Sequence, residues 1–325
     1  MPKKSTQTAD ASDASVQADK LKSLLKNYNH PKPIQTVRSG IHPIDLLLGN
    51  GFPRGRIIEF FGPEMGGKSL LFWHLAIAWQ KMGGIVVFFD FEATAPADFM
   101  TKLGVNNDDL IYEEVQTIEQ MDERISTIVS ELRAVTNAPI LIGCDSVAAA
   151  SSDAEWDIDD GIYTPKDSGQ PARQAAAMSR FCKMNTHKFA KEDVTFVAIN
   201  QIREKIGVMF GKNTESPCGR ALKHYASIRI EITRGKKFEV NDMVKGTMVH
   251  ISAVKNKCSE PLRKTQVRVD WGSGFNPWIG LEEVLVEAGR IKAKGAGKFE
   301  YKDETFTKAE IQEFVQKHEE LLAAW

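Results

Sequence analysis

Short apolar runs alternate with stretches of helical periodicity through most of the 325-residue chain. β-Prone runs fall at 56–61, 85–90, 139–145 and 194–200. Between them, 69–82, 97–103, 118–135 and 172–189 carry apolar residues at helical spacing. Apolar strands separated by helices predict a largely parallel sheet covered on both faces, because each parallel crossover lays a helix on the sheet. Strand-like runs follow at 228–233, 247–255 and 265–269. Past Gly272 the pattern changes, and "GFNPWIGLEEVLVEAGRI" and "TKAEIQEFVQKHEELLAAW" read as a small helical and mixed module. Ahead of the core, "ADKLKSLLKNY" predicts a short amphipathic helix with Leu21, Leu24 and Leu25 on one side. The small polar residues before it predict a disordered tail. The prolines of "NHPKPIQTV" after it predict an extended linker. The chain thus divides into an N-terminal segment (1–34), an α/β core (35–271) and a C-terminal domain (272–325).

Composition narrows the class. At 42% hydrophobic residues the chain can bury a real core, and no apolar run is long enough to span a membrane. The start of the chain lacks the apolar centre of a secretory signal. Cys144, Cys182, Cys218 and Cys258 are scattered without metal-binding spacing and predict reduced thiols in a cytoplasm. The net charge of −1 hides an asymmetry: residues 200–264 hold 14 Lys/Arg against 6 Asp/Glu. Five acids, Asp153, Glu155, Asp157, Asp159 and Asp160, precede that block. A basic block of this kind suits a polyanionic partner, and equally a solvated surface balanced elsewhere.

The chemistry begins at "FFGPEMGGKS". Gly62, Pro63, Glu64, Met65, Gly66, Gly67, Lys68 and Ser69 fit G-x-x-x-x-G-K-[ST] between a predicted strand and a predicted helix. Backbone amides there can curl around phosphate, the helix N-terminus adds partial positive charge, Lys68 reaches the outer phosphates, and Ser69 offers a hydroxyl to Mg²⁺. "PILIGCDS" supplies a strand ending in Asp145, a candidate metal-orienting carboxylate. "VVFFDFE" offers Asp90 and Glu92 for water activation. Strand alternation puts both on one side, so only the strand's end decides which enters the site. "VAINQ" ends in Asn200 and Gln201, amides placed to sense a γ-phosphate. Trp73, Trp79, Leu75 and Ile77 on the helix after the loop read as core.

Six further segments carry a resemblance: "GRIIEFFGPEMGGKS", "DFEATAPADFMTKLGV", "ILIGCDSVAA", "INQIREKIGVMFG", "ALKHYASIRI" and "VKNK". With them the chain resembles the RecA-type homologous recombinases of bacteria and bacteriophages, from about Gln35 into the C-terminal module. The resemblance implies an α/β P-loop ATPase core, a mostly parallel twisted sheet flanked by helices, with a short N-terminal subunit-contact helix and a small C-terminal α/β module. It implies a cytoplasmic, DNA-dependent ATPase using ATP and Mg²⁺. Such a protein forms helical filaments on single-stranded DNA and pairs it with homologous double-stranded DNA.

By the same resemblance, Glu92 activates water and Gln201 is the γ-phosphate switch. Lys255 and Lys257 reach a neighbouring subunit's ATP, and Phe210 and His224 lie at subunit contacts. The second DNA loop spans 202–218, with Arg203, Lys205, Ile206, Met209 and Phe210, closed by Gly219 and Arg220; Ile206 is the base wedge. The first DNA loop spans 156–170, with Arg173 and Arg180 on the following helix facing phosphates. Isoleucine, valine, methionine and phenylalanine beside arginine and lysine also suit base wedging on residue chemistry alone.

The chain departs from the family pattern in places. Pro96 replaces an adenine-binding aspartate, Phe99 keeps the stacking ring without a hydroxyl, and one glycine stands where a pair closes the second loop. Two other readings stay open: an ATP-binding mediator or structural filament protein without productive turnover, and a hexameric helicase-type motor.

Overall fold

The computed structural model describes residues 9–26, 33–93, 95–159, 162–165, 171–204, 214–215, 218, 220–261 and 263–323. The chain forms two compact units, Met1–Ile34 and Gln35–Trp325. In the first, helix α1 spans Ala9–Leu25. It starts inside the stretch whose composition predicts disorder, and Leu21, Leu24 and Leu25 are exposed on it.

The second unit opens with the small ribbon of β1 (Thr36–Val37) and β2 (Phe52–Pro53), which brackets helix α2 (His42–Leu47). The alternating core follows: β3 (Ile57–Gly62), α3 (Lys68–Lys81), β4 (Ile85–Asp90), α4 (Ala97–Leu103), β5 (Leu110–Glu114), α5 (Ile118–Val135) and β6 (Ile140–Asp145). After it come the ribbon β7 (Trp156–Asp159) and β8 (Ile162–Pro165), α6 (Pro171–Lys191), β9 (Val194–Gln201), the ribbon β10 (Arg203–Glu204) and β11 (Thr214–Glu215), and α7 (Ala221–Tyr225). The long hairpin β12 (Ile228–Val240) and β13 (Met243–Asn256) leads to β14 (Arg263–Asp270) and β15 (Gly274–Phe275). The chain closes with α8 (Leu281–Glu287), the three-stranded sheet β16 (Lys292–Gly295), β17 (Lys298–Tyr301) and β18 (Glu304–Thr307), and α9 (Ile311–Lys317).

The main sheet has the order β15-β14-β13-β12-β3-β9-β6-β4-β5. From β12 to β5 every neighbouring pair is parallel; β13, β14 and β15 extend the other side antiparallel. On one face α3 buries Leu71, Phe72, Trp73, Leu75, Ala76 and Trp79. On the other, α5 and α6 bury Ile118, Met121, Ile125, Met178 and Phe181. Helix α5 begins with a capping box, in which the Thr117 hydroxyl accepts from the Gln120 amide and the Gln120 side chain accepts from the Thr117 amide. The predicted core role of Trp73, Trp79 and Leu75 holds: all three are buried, and Ile77 packs against the same cluster.

Two differences from the pattern reading have local causes. Edge strand β5 has half-exposed sides and two glutamates, so it lacks the apolar signature of its neighbours. β12 runs past its predicted end at Thr233 because β13, rather than a core strand, pairs with its polar half. The four cysteines are free thiols, and burial pushes Cys182 and Cys218 up to about 12. No helix among the described residues is long and apolar enough to cross a membrane.

Candidate nucleotide site and nucleic-acid interface

The phosphate loop leaves a fully buried strand and enters a helix. Gly62 has φ +156°, and a Cβ there would lie 2.0 Å from the Ile232 carbonyl oxygen of β12, so only glycine lets the strands meet. Gly67 caps α3 in the left-handed region at φ +96°, with the Phe275 ring 3.3 Å from where its Cβ would be. Pro63, Glu64 and Met65 are exposed between them. The first turn of α3 therefore aims its free amides at an open loop, the geometry that binds phosphate.

Lys68 Nζ donates to the Gly62 and Pro63 carbonyls at 3.2 and 2.7 Å. Burial pushes this ammonium below the usual lysine range, against the pull of Asp145, Glu64 and Glu92. The Ser69 hydroxyl donates to Asp145 Oδ2 at the end of β6. Burial raises the Asp145 carboxyl to about 6, the Ser69 hydrogen bond opposes that, and Glu92 adds to it. A hydroxyl and a carboxylate form a hard oxygen donor pair. Among the described residues there is no larger cage of three or more His, Cys, Asp or Glu. That donor set fits Mg²⁺, which takes one or two protein oxygens and completes its shell with phosphate and water.

The structure separates the paired candidates at the strand ends. Asp90 is buried at the end of β4, and its carboxylate accepts from the backbone amides of Glu92 and Ala95. Glu92 lies past the strand end and is exposed. Its Oε1 accepts from the Ser146 hydroxyl at 2.5 Å and from Gln201 Nε2 at 3.1 Å. Asn200 turns the other way: fully buried, it donates to Glu59 Oε1 at 3.0 Å, and Glu59 also receives Arg229. Asn200 is therefore packed inside the sheet, and Gln201 is the amide that faces the site.

Two hollows flank the loop. One, of about 140 Å³, is lined by Ser69, Trp73, Phe88, Asp90, Ala95, Pro96 and Asp145. Pro96 caps α4, the helix that carries half-buried Phe99. The other, of about 470 Å³, runs from Gly66, Gly67 and Ser69 to Arg234 and Trp271. Trp271 is 62% exposed and Arg234 is exposed, and the sequence reading singled out neither. The one local hint was a tryptophan next to two closely spaced glycines in "DWGSG". His74 of α3 accepts from the Phe275 amide at 3.0 Å, holding the segment after Trp271 against the phosphate-loop helix.

Lys255 Nζ donates to the Lys223 and His224 carbonyls at 2.7 and 2.9 Å, at the end of α7. Burial, then Lys257 and Arg229, lower Lys255 to about 8. Lys257, just past β13, is exposed, as is His224. The charge of Lys257 is felt at Lys255, so the two lysines lie near one another.

Of the expected DNA contacts, Arg173 is half-buried and donates to the Ala154 carbonyl at 2.7 Å, and Arg220 is exposed. Exposed Arg180 lines a groove with Glu119, Asp122 and Glu123, an acidic setting for a phosphate contact. The backbone of Arg203 pairs with that of Glu215 in the β10–β11 ribbon. Lys205, Ile206, Met209, Phe210 and Gly219 lie outside the described residues.

A glycine-rich loop opening a helix, a Ser–Asp pair beside it and a glutamate past a neighbouring strand define a P-loop nucleoside-triphosphate-binding protein. The RecA N-terminal domain family matches residues 18–276. Protein RecA of Paracoccus denitrificans is 34% identical over 294 residues, covering 90% of this chain and 79% of that protein. Protein RecA of Enterococcus hirae is 33% identical over 316 residues, covering 93% and 88%. Protein RecA of Enterococcus faecalis is 34% identical over 293 residues, covering 89% and 81%. The chain belongs to the RecA family, and with it to the recombination and repair proteins that bind ATP and DNA.

Proposed function

We propose that this chain is a DNA-dependent ATPase that forms helical filaments on single-stranded DNA and carries out homologous pairing and strand exchange. Mg²⁺ would be held by Ser69 and Asp145, the phosphates by residues 62–69, and the attacking water would be activated by Glu92. The observation that carries this reading is the contact of Gln201 with Glu92 across 109 positions of sequence. Gln201 is the last residue of β9, directly before the second loop. A γ-phosphate that draws the Gln201 amide therefore acts on the water-activating carboxylate and on the DNA loop together. The basic block at 200–264 would hold DNA phosphates, and the apolar residues of the loop would wedge between bases.

The test is ATP hydrolysis with and without single-stranded DNA, with electron microscopy of the product. Stimulated turnover on helical filaments is expected. Filaments without turnover would indicate the mediator reading, and rings the helicase reading. Lys68→Ala should abolish hydrolysis and remain folded. The change removes two hydrogen bonds to loop carbonyls, each contributing about 1 kcal/mol.

A further inference from the structure

Asp90 is 2% exposed, at the wall of the hollow beside Ser69 and Asp145, and both of its carboxylate oxygens accept from the chain. Oδ1 accepts from the Glu92 amide at 2.9 Å, and Oδ2 from the Ala95 amide at 2.9 Å. The Phe91 amide, one residue before Glu92, donates to the Asp145 carbonyl at 2.8 Å. The turn that presents Glu92 is thus tied down at three amides, two of them on one carboxylate. Among the described residues a further donor comes from another strand: the Tyr112 hydroxyl reaches Asp90 Oδ2 at 2.9 Å.

Tyr112 belongs to edge strand β5, in register with Phe88 of β4. Its ring stacks near that of Phe88, with centroids 6.4 Å apart and planes at 23°. Tyr112 is 40% exposed, but its hydroxyl lies against Asp90 and Glu114; partial burial and these two carboxylates raise its proton affinity, so the phenol stays a donor. A buried carboxylate that loses a donor is held from fewer directions and has a freer torsion. Here it would loosen the turn carrying Glu92 and bring negative charge toward Asp145, whose proton affinity Asp90 already raises.

We propose that Tyr112 is a positioning residue of the hydrolytic site: its hydroxyl fixes the Asp90 carboxylate, and through it the turn that holds Glu92 in place. The inference rests on Glu92 being the water-activating carboxylate. Among the described residues Tyr112 bonds to Asp90 and Glu114 and stacks on Phe88, so its effect falls on the chemical step more than on nucleotide or DNA capture.

The test is Tyr112→Phe, which keeps the ring packed on Phe88 and removes only the donor. Its kcat for DNA-stimulated ATP hydrolysis should fall about tenfold, in line with one lost hydrogen bond to a charged group. The midpoint for single-stranded DNA binding should stay within about twofold, and KM for ATP should change less than kcat, since the loosened turn also carries Ala95 and Pro96 at the wall of the hollow. The decisive comparison repeats the change on Glu92→Gln under single-turnover conditions, with rates read over days. There Tyr112→Phe should have no further effect, because the group it positions is already disabled. Equal losses in the two backgrounds, or an unchanged kcat in Tyr112→Phe, overturn the proposal. So does a drop in kcat that comes with matching losses in nucleotide binding and thermal stability, since that is what a structural role predicts. A wild-type chain without DNA-stimulated hydrolysis overturns the proposed function and this inference with it. An active wild type with an indifferent Tyr112→Phe overturns the inference alone.

Discussion

Gln201 Nε2 donates to Glu92 Oε1 over 3.1 Å, joining the end of β9 to the turn after β4. If that contact couples nucleotide to DNA, Gln201→Leu should bind ATP normally and lose the coupling. Its affinity for single-stranded DNA should differ by less than about twofold between an ATP analogue and ADP, because a ligand shifts an equilibrium only through a differential contact. Binding titrations with each nucleotide decide this. A wild-type ratio in the variant would place the switch elsewhere.

His74 makes a pH prediction. Burial, with Lys81 adding, depresses its imidazole from 6.5 to about 4, and its Nε2 accepts from the Phe275 amide. The folded state therefore binds fewer protons here than the unfolded chain between pH 6.5 and 4, and stability is lost as pH falls through that window. By pH 4.5 this group should cost about 2 kcal/mol relative to pH 7. Denaturant unfolding of wild type and His74→Gln at the two pH values should show the smaller acid loss in the variant. Equal losses would mean that His74 titrates normally.

Pro96 bears on base choice. It borders the hollow beside Ser69 and Asp145 and offers no side-chain acceptor to an adenine amino group. Selectivity of ten-thousandfold needs a polar group that goes unpaired with the wrong substrate. GTP should therefore support hydrolysis within about a hundredfold of ATP in kcat/KM. Much stronger discrimination would show that another group in the cleft reads the base.

Lys255 and Lys257 test whether sites are shared between subunits. Lys255 is bonded to its own chain at the end of α7, so a role at a neighbour's phosphate requires it to leave two carbonyls. Lys255→Ala/Lys257→Ala and Glu92→Gln should each be inactive alone. Mixed in equal amounts, they should regain part of the DNA-stimulated phosphate release, since some interfaces then pair an intact glutamate with intact lysines. No recovery in proven mixed filaments would confine the lysines to their own chain.

The phosphate loop was fully legible, because its requirements are local: glycines at fixed spacing between a buried strand and a helix. The parallel core was legible too, because central strands buried on both faces must be apolar along their length. Edge strand β5 was not, since half-exposed sides remove that signature, and with it went Tyr112. The start of α1 at Ala9 was also missed, because small polar residues carry little helical periodicity.

Within the site, strand pattern reduced the choice to pairs, the resemblance named one of each, and tertiary structure gives the two members of each pair different surroundings. Asp90 and Glu92 share one side by strand alternation; β4 ends at Asp90, so that residue is locked among amides and Glu92 is free to meet Gln201. Asn200 and Gln201 are adjacent amides, and the charge of Glu59 on neighbouring β3 draws the first inward. Trp271 reaches the phosphate-loop cleft only because β14 ends beside α3 and His74 holds Phe275 there. Propensity, period and loop spacing act between residues a few positions apart, so the chain determines them by itself. Which distant side chains meet depends on strand order in the sheet and on where each strand stops, and only the packed core sets those.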